Sequence, residues 1–298
     1  MTDRPSSTAL LIARALVLLA ADPAHAALVA TGASGASFAL LKAGGIPVER
    51  FRRLAGHPWF RALLYAAGRR TLPGILTHYA RRKRFLEEVA RESLAAGVEQ
   101  VVVLGAGLDT LALRLSAEYP QVLFWELDRA AMQAVKRKGL AAAGLGGPNL
   151  CLLPLDLNTA LPGKVLSAES RYRPESATLF VAEGLLMYLN PDRVAELLRD
   201  LRGCGGLESR LGFTFLETGP DGCPDFDPPS RLIRRWLQIR GEPFLWGVNQ
   251  EALGAFLRAT GWTPSALATP SDLQSRYPSA SPKLLSVSGD LVAAADFR

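Results

Sequence analysis

Along the first third of the chain, apolar residues recur at the three- and four-residue steps of helices, punctuated by Gly and Pro. Such segments cover residues 8–21, 23–29, 51–67 and 76–96, the last stopped at Gly97, while 31–37 is a Gly/Ser-rich passage that reads as a break. At residue 100 the period changes. Residues 100–104 (QVVVL) are short, apolar and β-branched, as a strand buried on both faces requires. Further strands are predicted over 121–127, 150–155, 177–182 and 211–216, with helices over 110–117, 129–143 and 192–202 between them. That alternation is the signature of parallel βαβ units. The remainder holds a Pro/Gly/Asp loop (219–230), a short basic amphipathic helix carrying Trp236 (231–240) and another helix (250–260). A weak strand (265–269) and a stronger one (283–294), bent at Gly289, complete the pattern. The expectation is an α/β fold, a doubly wound, mostly parallel seven-stranded sheet. One domain spans 1–298, with a helical cap over 1–95 and the α/β core over 96–298.

Composition narrows the class. At 298 residues, 49% hydrophobic and 21% charged, the chain can bury a large core. Its net charge of +6 is modest, and apart from Arg81-Arg82-Lys83-Arg84 no basic tract is interleaved with aromatics, so no nucleic-acid partner is expected. Scattered Arg suits anionic small molecules. Cys151, Cys204 and Cys223 show neither CxxC spacing nor a neighbouring His, which points away from disulfides and zinc and toward a reducing compartment, the cytoplasm. Residues 9–21 with Ala24-His25-Ala26 imitate a secretory signal. Arg14 interrupts the apolar stretch, however, and Asp3 spoils its positive start, so a helix lying on the protein is expected. No apolar run approaches the roughly 20 residues of a membrane span, and no membrane partner is expected.

The informative block is Leu104-Gly105-Ala106-Gly107-Leu108-Asp109-Thr110. A strand running into Gly-x-Gly turns sharply and lets a ligand approach bare backbone at the carboxyl end of the sheet. Dinucleotide sites want a third glycine where Thr110 stands. S-adenosylmethionine has no pyrophosphate to cradle and needs none. Glu126 and Asp128 end the second strand, where an acid meets a ribose hydroxyl in such folds; alternatively they are a solvated strand end and a helix cap. Asp156, after the third strand, is placed to accept from an adenine amino group or to cap a turn before Asn158. Glu183 breaks an apolar run after the fourth strand and needs a partner, for which a sulfonium or ammonium cation is suited. Tyr188 offers a hydroxyl to a substrate oxygen, or with Met187 simply packs in the core.

Together, Gly97-Val98-Glu99-Gln100 running into the glycine block, Phe124-Trp125-Glu126-Leu127-Asp128, and Ala182-Glu183-Gly184-Leu185-Leu186-Met187-Tyr188-Leu189 resemble the leucine carboxyl methyltransferase family. That family includes enzymes acting on a protein's C-terminal leucine and bacterial relatives acting on polyketide-type small molecules. The resemblance runs from about residue 8 to 262 and implies a class I, Rossmann-like methyltransferase using S-adenosylmethionine. It implies that Gly105 and Gly107 line the cofactor, Asp128 holds the ribose, Asp156 and Leu157 contact adenine, and Glu183 sits in the pocket. A basic residue before the first strand grips the cofactor's carboxylate, best matched by Arg82, with Arg81 one step away and Arg14 a further basic position. The Arg81–84 run also reads as a solvated helix face.

A carboxylate acceptor is ionised at neutral pH and needs no general base, whereas a phenol, with a pKa near 10, gains from one. The histidines are His25, His57 and His78; none adjoins the glycine block, though His57 or His78 could reach a pocket under the cap. The expected substrate is therefore a small hydrophobic carboxylic acid, with a phenol as alternative and a protein C-terminus behind it. An oxidoreductase or a binding protein without turnover are the readings from other classes.

Overall fold

The computed structural model describes residues 6–219, 221–280 and 287–297. Five helices precede the sheet: α1 (Ser7–Ala20), α2 (Ala33–Ala43), α3 (Val48–Ala55), α4 (Pro58–Thr71) and α5 (Ile75–Ala95). Then come β1 (Gln100–Leu104), α6 (Leu111–Glu118), β2 (Leu123–Asp128), α7 (Ala130–Ala143), β3 (Leu150–Pro154), α8 (Pro162–Leu166) and β4 (Thr178–Ala182). The chain continues through α9 (Pro191–Gly203), β5 (Arg210–Leu216), α10 (Arg231–Arg240), α11 (Gln250–Ala259), β6 (Thr263–Ala268), α12 (Pro270–Arg276) and β7 (Asp290–Asp296).

The sheet has seven strands in the order β3-β2-β1-β4-β5-β7-β6. β1 through β5 pair in parallel, and β7 runs antiparallel between β5 and β6. Both faces are covered, which explains why β1 reads as a continuous apolar run. Val102 and Leu104 pack with Trp125, Phe180 and the α9 leucines on one face. Val101 and Val103 pack with Phe124, Phe85, Val89 and Leu115 of α5 and α6 on the other.

The expected α/β plan holds, with local departures. The Gly/Ser passage begins a helix, α2, entered through Gly32 in the left-handed region (φ 78°). It packs closely on α7: a Cβ on Gly139 of α7 would meet the Leu40 backbone at 3.2 Å. Residues 51–67 are not one helix, because Pro58 starts α4 after the turn at Gly56-His57. Part of the expected strand 283–294 lies outside the described residues, and β7 begins directly after Gly289 (φ 85°). The signal-like segment is α1, with Ala13 and residues 15–19 buried against the fold. Among the described residues no helix is long and apolar enough to cross a membrane.

Candidate active site

Strand order reverses between β1 and β4, and a cavity of about 920 Å³ opens beyond the carboxyl ends there. Its floor is the loops after β1 to β4; its roof is α1, α4, α5 and α10. The size lies toward the upper end for small-molecule sites, about 300–1,000 Å³.

The glycine loop forms the floor. Gly105 (φ 60°) and Gly107 (φ 50°) both occupy the left-handed region, and a Cβ on Gly105 would stand 2.7 Å from Leu185 Cδ1. Asp128 pins this loop: its Oδ2 accepts from the Gly107 N–H at 2.6 Å and its Oδ1 from the Arg129 N–H at 2.7 Å. Burial pushes the Asp128 carboxyl above its ordinary range, and those two N–H groups oppose the shift. Each oxygen keeps a second acceptor direction for a ligand hydroxyl.

Glu126 does not join it. It lies two residues back, where β2 is paired on both sides, and is fully buried under α7 with its Oε2 2.6 Å from Lys136 Nζ. Burial raises its pKa, with Lys136 opposing. Lys136 also donates to the Asp109 carbonyl at 2.6 Å, so the pair braces the glycine loop from beneath instead of lining the cavity.

Asp156 and Leu157 both line the floor. Asp156 Oδ1 accepts from the Asn158 N–H (3.0 Å) and Nδ2 (2.9 Å), an Asx turn, so the capping alternative is realised at a position that also faces the cavity.

Helical spacing puts Ile75, Tyr79, Arg82 and Lys83 on one stripe of α5 facing the cavity. Arg82 is 3% exposed and already engaged: Nε donates to Glu183 Oε1 at 3.0 Å, Nη1 to Asp290 Oδ2 at 2.6 Å, and its guanidinium lies 4.7 Å from the Tyr79 ring centroid. Lys83 Nζ bridges Asp109 Oδ1 (2.8 Å) and Glu183 Oε2 (2.9 Å). Burial alone would raise the Asp109 carboxyl, but Lys83 and the Thr110 N–H outweigh it and hold it at about 2. Asp109, Glu183 and Asp290 face Arg82 and Lys83, with His78 against Asp290 behind them.

Arg81 lies on another face of α5, its Nε donating to the Tyr277 carbonyl at 3.1 Å, and takes no part in the cavity. Arg14 does: half-buried in the wall, it has no carboxylate partner among the described residues. His78 is buried behind Arg82, its Nε2 3.0 Å from Asp290 Oδ2, and His57 is exposed. Neither lines the cavity, so the histidines that could have reached a pocket under the cap do not.

The far end is apolar and aromatic. Tyr188, on a 3₁₀ turn after β4, lies against Phe244 with ring centroids 5.7 Å apart and planes tilted by 36°, and Phe226 meets Phe244 at 5.6 Å. Tyr188 thus packs as well as lining the wall; burial raises its hydroxyl pKa well above the usual value, so it stays protonated. Glu242, in the loop after α10, accepts from the Ser7 and Thr8 N–H groups (3.2 and 3.4 Å) and from Thr8 Oγ1 (2.7 Å), tying that loop to the start of α1.

Sequence reading assigned no site role to Lys83, Asp109, Asp290 or Glu242. The helical step from Arg82 is the signal that places Lys83. Nothing local places Asp290, more than 200 residues from the arginine it holds.

A family model described as leucine carboxyl methyltransferase matches residues 13–202. A Frankia alni protein named "Putative S-adenosyl-L-methionine-dependent methyltransferase" is 35% identical over 150 residues, 50% of this chain and 51% of its own. A Mycobacterium avium protein of the same name is 30% identical over 230 residues, 72% of this chain and 66% of its own. The chain spans about half to two thirds of the length of these curated relatives. Two solved structures share the fold: a "duf574 family protein" from Streptomyces avermitilis (TM-score 0.59, 14% identity, covering 94% of this chain and all of that one) and a "putative methyltransferase" from Thermobifida fusca (TM-score 0.57, 15% identity, 87% and 93%). The family match covers well over half of the chain and includes the glycine loop, the acid at the end of β2 and the block after β4. This chain belongs to the leucine carboxyl methyltransferase family.

Proposed function

We propose that the chain is an S-adenosylmethionine-dependent O-methyltransferase acting on the carboxylate of a small hydrophobic acid. Residues 1–298 work as one domain in which the helical part roofs the core. The observation that carries this reading is the floor of the cavity: bare glycine backbone beside the carboxylates of Asp109, Asp128 and Glu183, opening into an apolar chamber. That floor suits a cationic nucleoside.

The cofactor fits these residues. Gly105 and Gly107 leave the space where a Cβ would stand, and Asp128 has acceptor capacity for the ribose hydroxyls. Asp156 and Leu157 border the adenine position, Glu183 with Asp109 balances the cofactor's cations, and Arg14 takes its carboxylate. Arg82, ion-paired with Glu183 and Asp290, chiefly fixes Glu183. When bound, S-adenosylmethionine supplies a methyl group activated on sulfur.

The protein's remaining contribution is alignment and exclusion of water. Holding two reactants in register can supply about 7–11 kcal/mol of the barrier reduction. The Tyr188 O–H donates to the acceptor oxygen and orients it, while Phe244, Phe226 and Met187 surround the acceptor's body. A carboxylate requires no proton removal, consistent with a wall that contains no histidine among the described residues. Glu242 is not a free base, because both its oxygens are engaged by α1. Three free cysteines support a cytoplasmic setting.

Incubation with methyl-labelled S-adenosylmethionine and a panel of acids and phenols tests the proposal. A base-labile product identifies an ester; a base-stable product identifies a phenol ether and refutes the carboxylate. Calorimetry in which NADH binds and S-adenosylhomocysteine does not would refute the cofactor as well.

A further inference from the structure

The basic amphipathic helix α10 has no task in the chemistry above, and its outer surface is unusual. Leu232, Trp236 and Ile239 follow the three- and four-residue steps of one stripe. Yet Leu232 is 67% and Ile239 73% exposed. Nine large hydrophobic side chains are exposed among the described residues, and six belong to elements that wall the cavity: Leu11 on α1, Trp59 and Leu63 on α4, Leu232 and Ile239 on α10, and Leu245 just after it. Leu11, Leu232 and Leu245 also line the cavity itself. Scattered exposed leucines are ordinary; a gathering at one opening marks an interaction surface.

Charge says what covers it. Neither α4 nor α10 carries an acidic residue. Arg69 and Arg70, flanked by the cavity-lining Gly68 and Thr71, and Arg231, Arg235 and Arg240 on α10 are all exposed, and none is ion-paired with a carboxylate among the described residues. Cations beside exposed Trp, Leu and Ile match an anionic lipid surface, where arginine meets headgroups and the apolar side chains enter the acyl boundary. We propose that the rim formed by α4 and α10 docks on an anionic membrane surface, from which an amphiphilic acid enters the cavity. No spanning segment is needed for this, since interfacial docking buries only a few side chains. The proposal rests on the cavity holding an apolar acceptor, as inferred above. It adds where that acceptor is collected.

The test is co-sedimentation of the full chain with vesicles of phosphatidylcholine plus phosphatidylserine, against phosphatidylcholine alone. Binding is expected only to the anionic vesicles and falls with added salt. Each arginine near the surface contributes about 5-fold in partitioning, so the double variant Arg231→Gln/Arg235→Gln weakens it by about 30-fold. Ile239→Glu weakens binding as well, while S-adenosylhomocysteine affinity and circular dichroism stay at wild-type values for all these variants. Absence of binding to anionic vesicles overturns the proposal, and so does equal binding to both vesicle types or indifference to the substitutions. Binding to an acidic polypeptide without binding to vesicles assigns the rim to a protein and also overturns it. Vesicle binding and S-adenosylhomocysteine binding are separate readouts, so failure of docking leaves the methyltransferase reading standing, and the reverse.

Discussion

Three arginines compete for the cofactor's carboxylate, and their surroundings predict different consequences of removing each. Arg14 lines the cavity, is half-buried and has no carboxylate partner among the described residues, so its removal breaks no ion pair. Hydrogen bonds to charged groups contribute about 1.5–3 kcal/mol, and partial exposure favours the lower end, which sets the loss of affinity in Arg14→Met at about tenfold. Thermal stability should be unchanged, because methionine retains the apolar stem. Arg82→Met is the opposite case. It strips the buried carboxylates of Glu183 and Asp290 of bonds of 3.0 and 2.6 Å. Breaking such a buried pair costs about 3–5 kcal/mol, or a Tm lower by about 10 °C for a chain of this size. Arg81→Met, removing the bond to the Tyr277 carbonyl, should lower stability slightly and leave affinity alone. The assays are calorimetric titration with S-adenosylhomocysteine and a thermal melt for each variant. If Arg14→Met binds within twofold of wild type, or Arg82→Met weakens binding without moving Tm, the assignment of the carboxylate to Arg14 is wrong.

Gly107→Ala forces a side chain into φ 50°, with its Cβ 3.1 Å from that of Ala9; we expect at least about a tenfold loss of S-adenosylhomocysteine affinity by calorimetry, with helix displacement adding to the roughly 1–2 kcal/mol of left-handed strain. Lys136→Met leaves Glu126 buried without its cation and should cost about 3–5 kcal/mol in urea denaturation, a loss that Lys136→Met/Glu126→Gln largely recovers; no recovery would show that the pair is not the cause. The Asp109 carboxyl is depressed to about 2 in the folded chain, so its contribution is complete above the unfolded value near 4 and disappears as pH falls through about 2. Denaturation midpoints of wild type should therefore drop between pH 4 and 2 more steeply than those of Asp109→Asn, and parallel curves would contradict the Lys83 pairing.

The parts of the fold visible in the sequence are those fixed by local period. β1 is apolar throughout because it is covered twice, and the Gly-x-Gly after it has one structural use at a strand end. What escaped depends on context. Residues 31–37 have the composition of a loop, yet most of them lie in α2, which packs on α7 where Gly139 leaves room for Leu40. The capping box of Thr269 and Asp272 that begins α12, with Pro270 at the first helical position, is by contrast a local signal that the sequence carries. Glu126 and Asp128 share strand parity, so the alternation cannot separate them. The separation is tertiary: Lys136 of α7 takes Glu126, while Asp128 holds the glycine loop and lines the cavity. The ion pairing that sets Arg82 apart from Arg14 is likewise tertiary, decided by where Asp290 arrives.

Asp290 opens the strand slotted last into the sheet's interior, between β5 and an edge strand that precedes it in the chain. During synthesis the arginine of α5 can meet Glu183 after about a hundred residues, but must wait for some two hundred to emerge before its second countercharge exists, about ten seconds at least at about 5–20 residues per second. Until then the nascent helix bears a guanidinium with only part of its buried pairing in place. Nascent chains halted just before this strand should be sensitive to protease along α5 and lose that sensitivity once residue 296 has cleared the ribosomal tunnel.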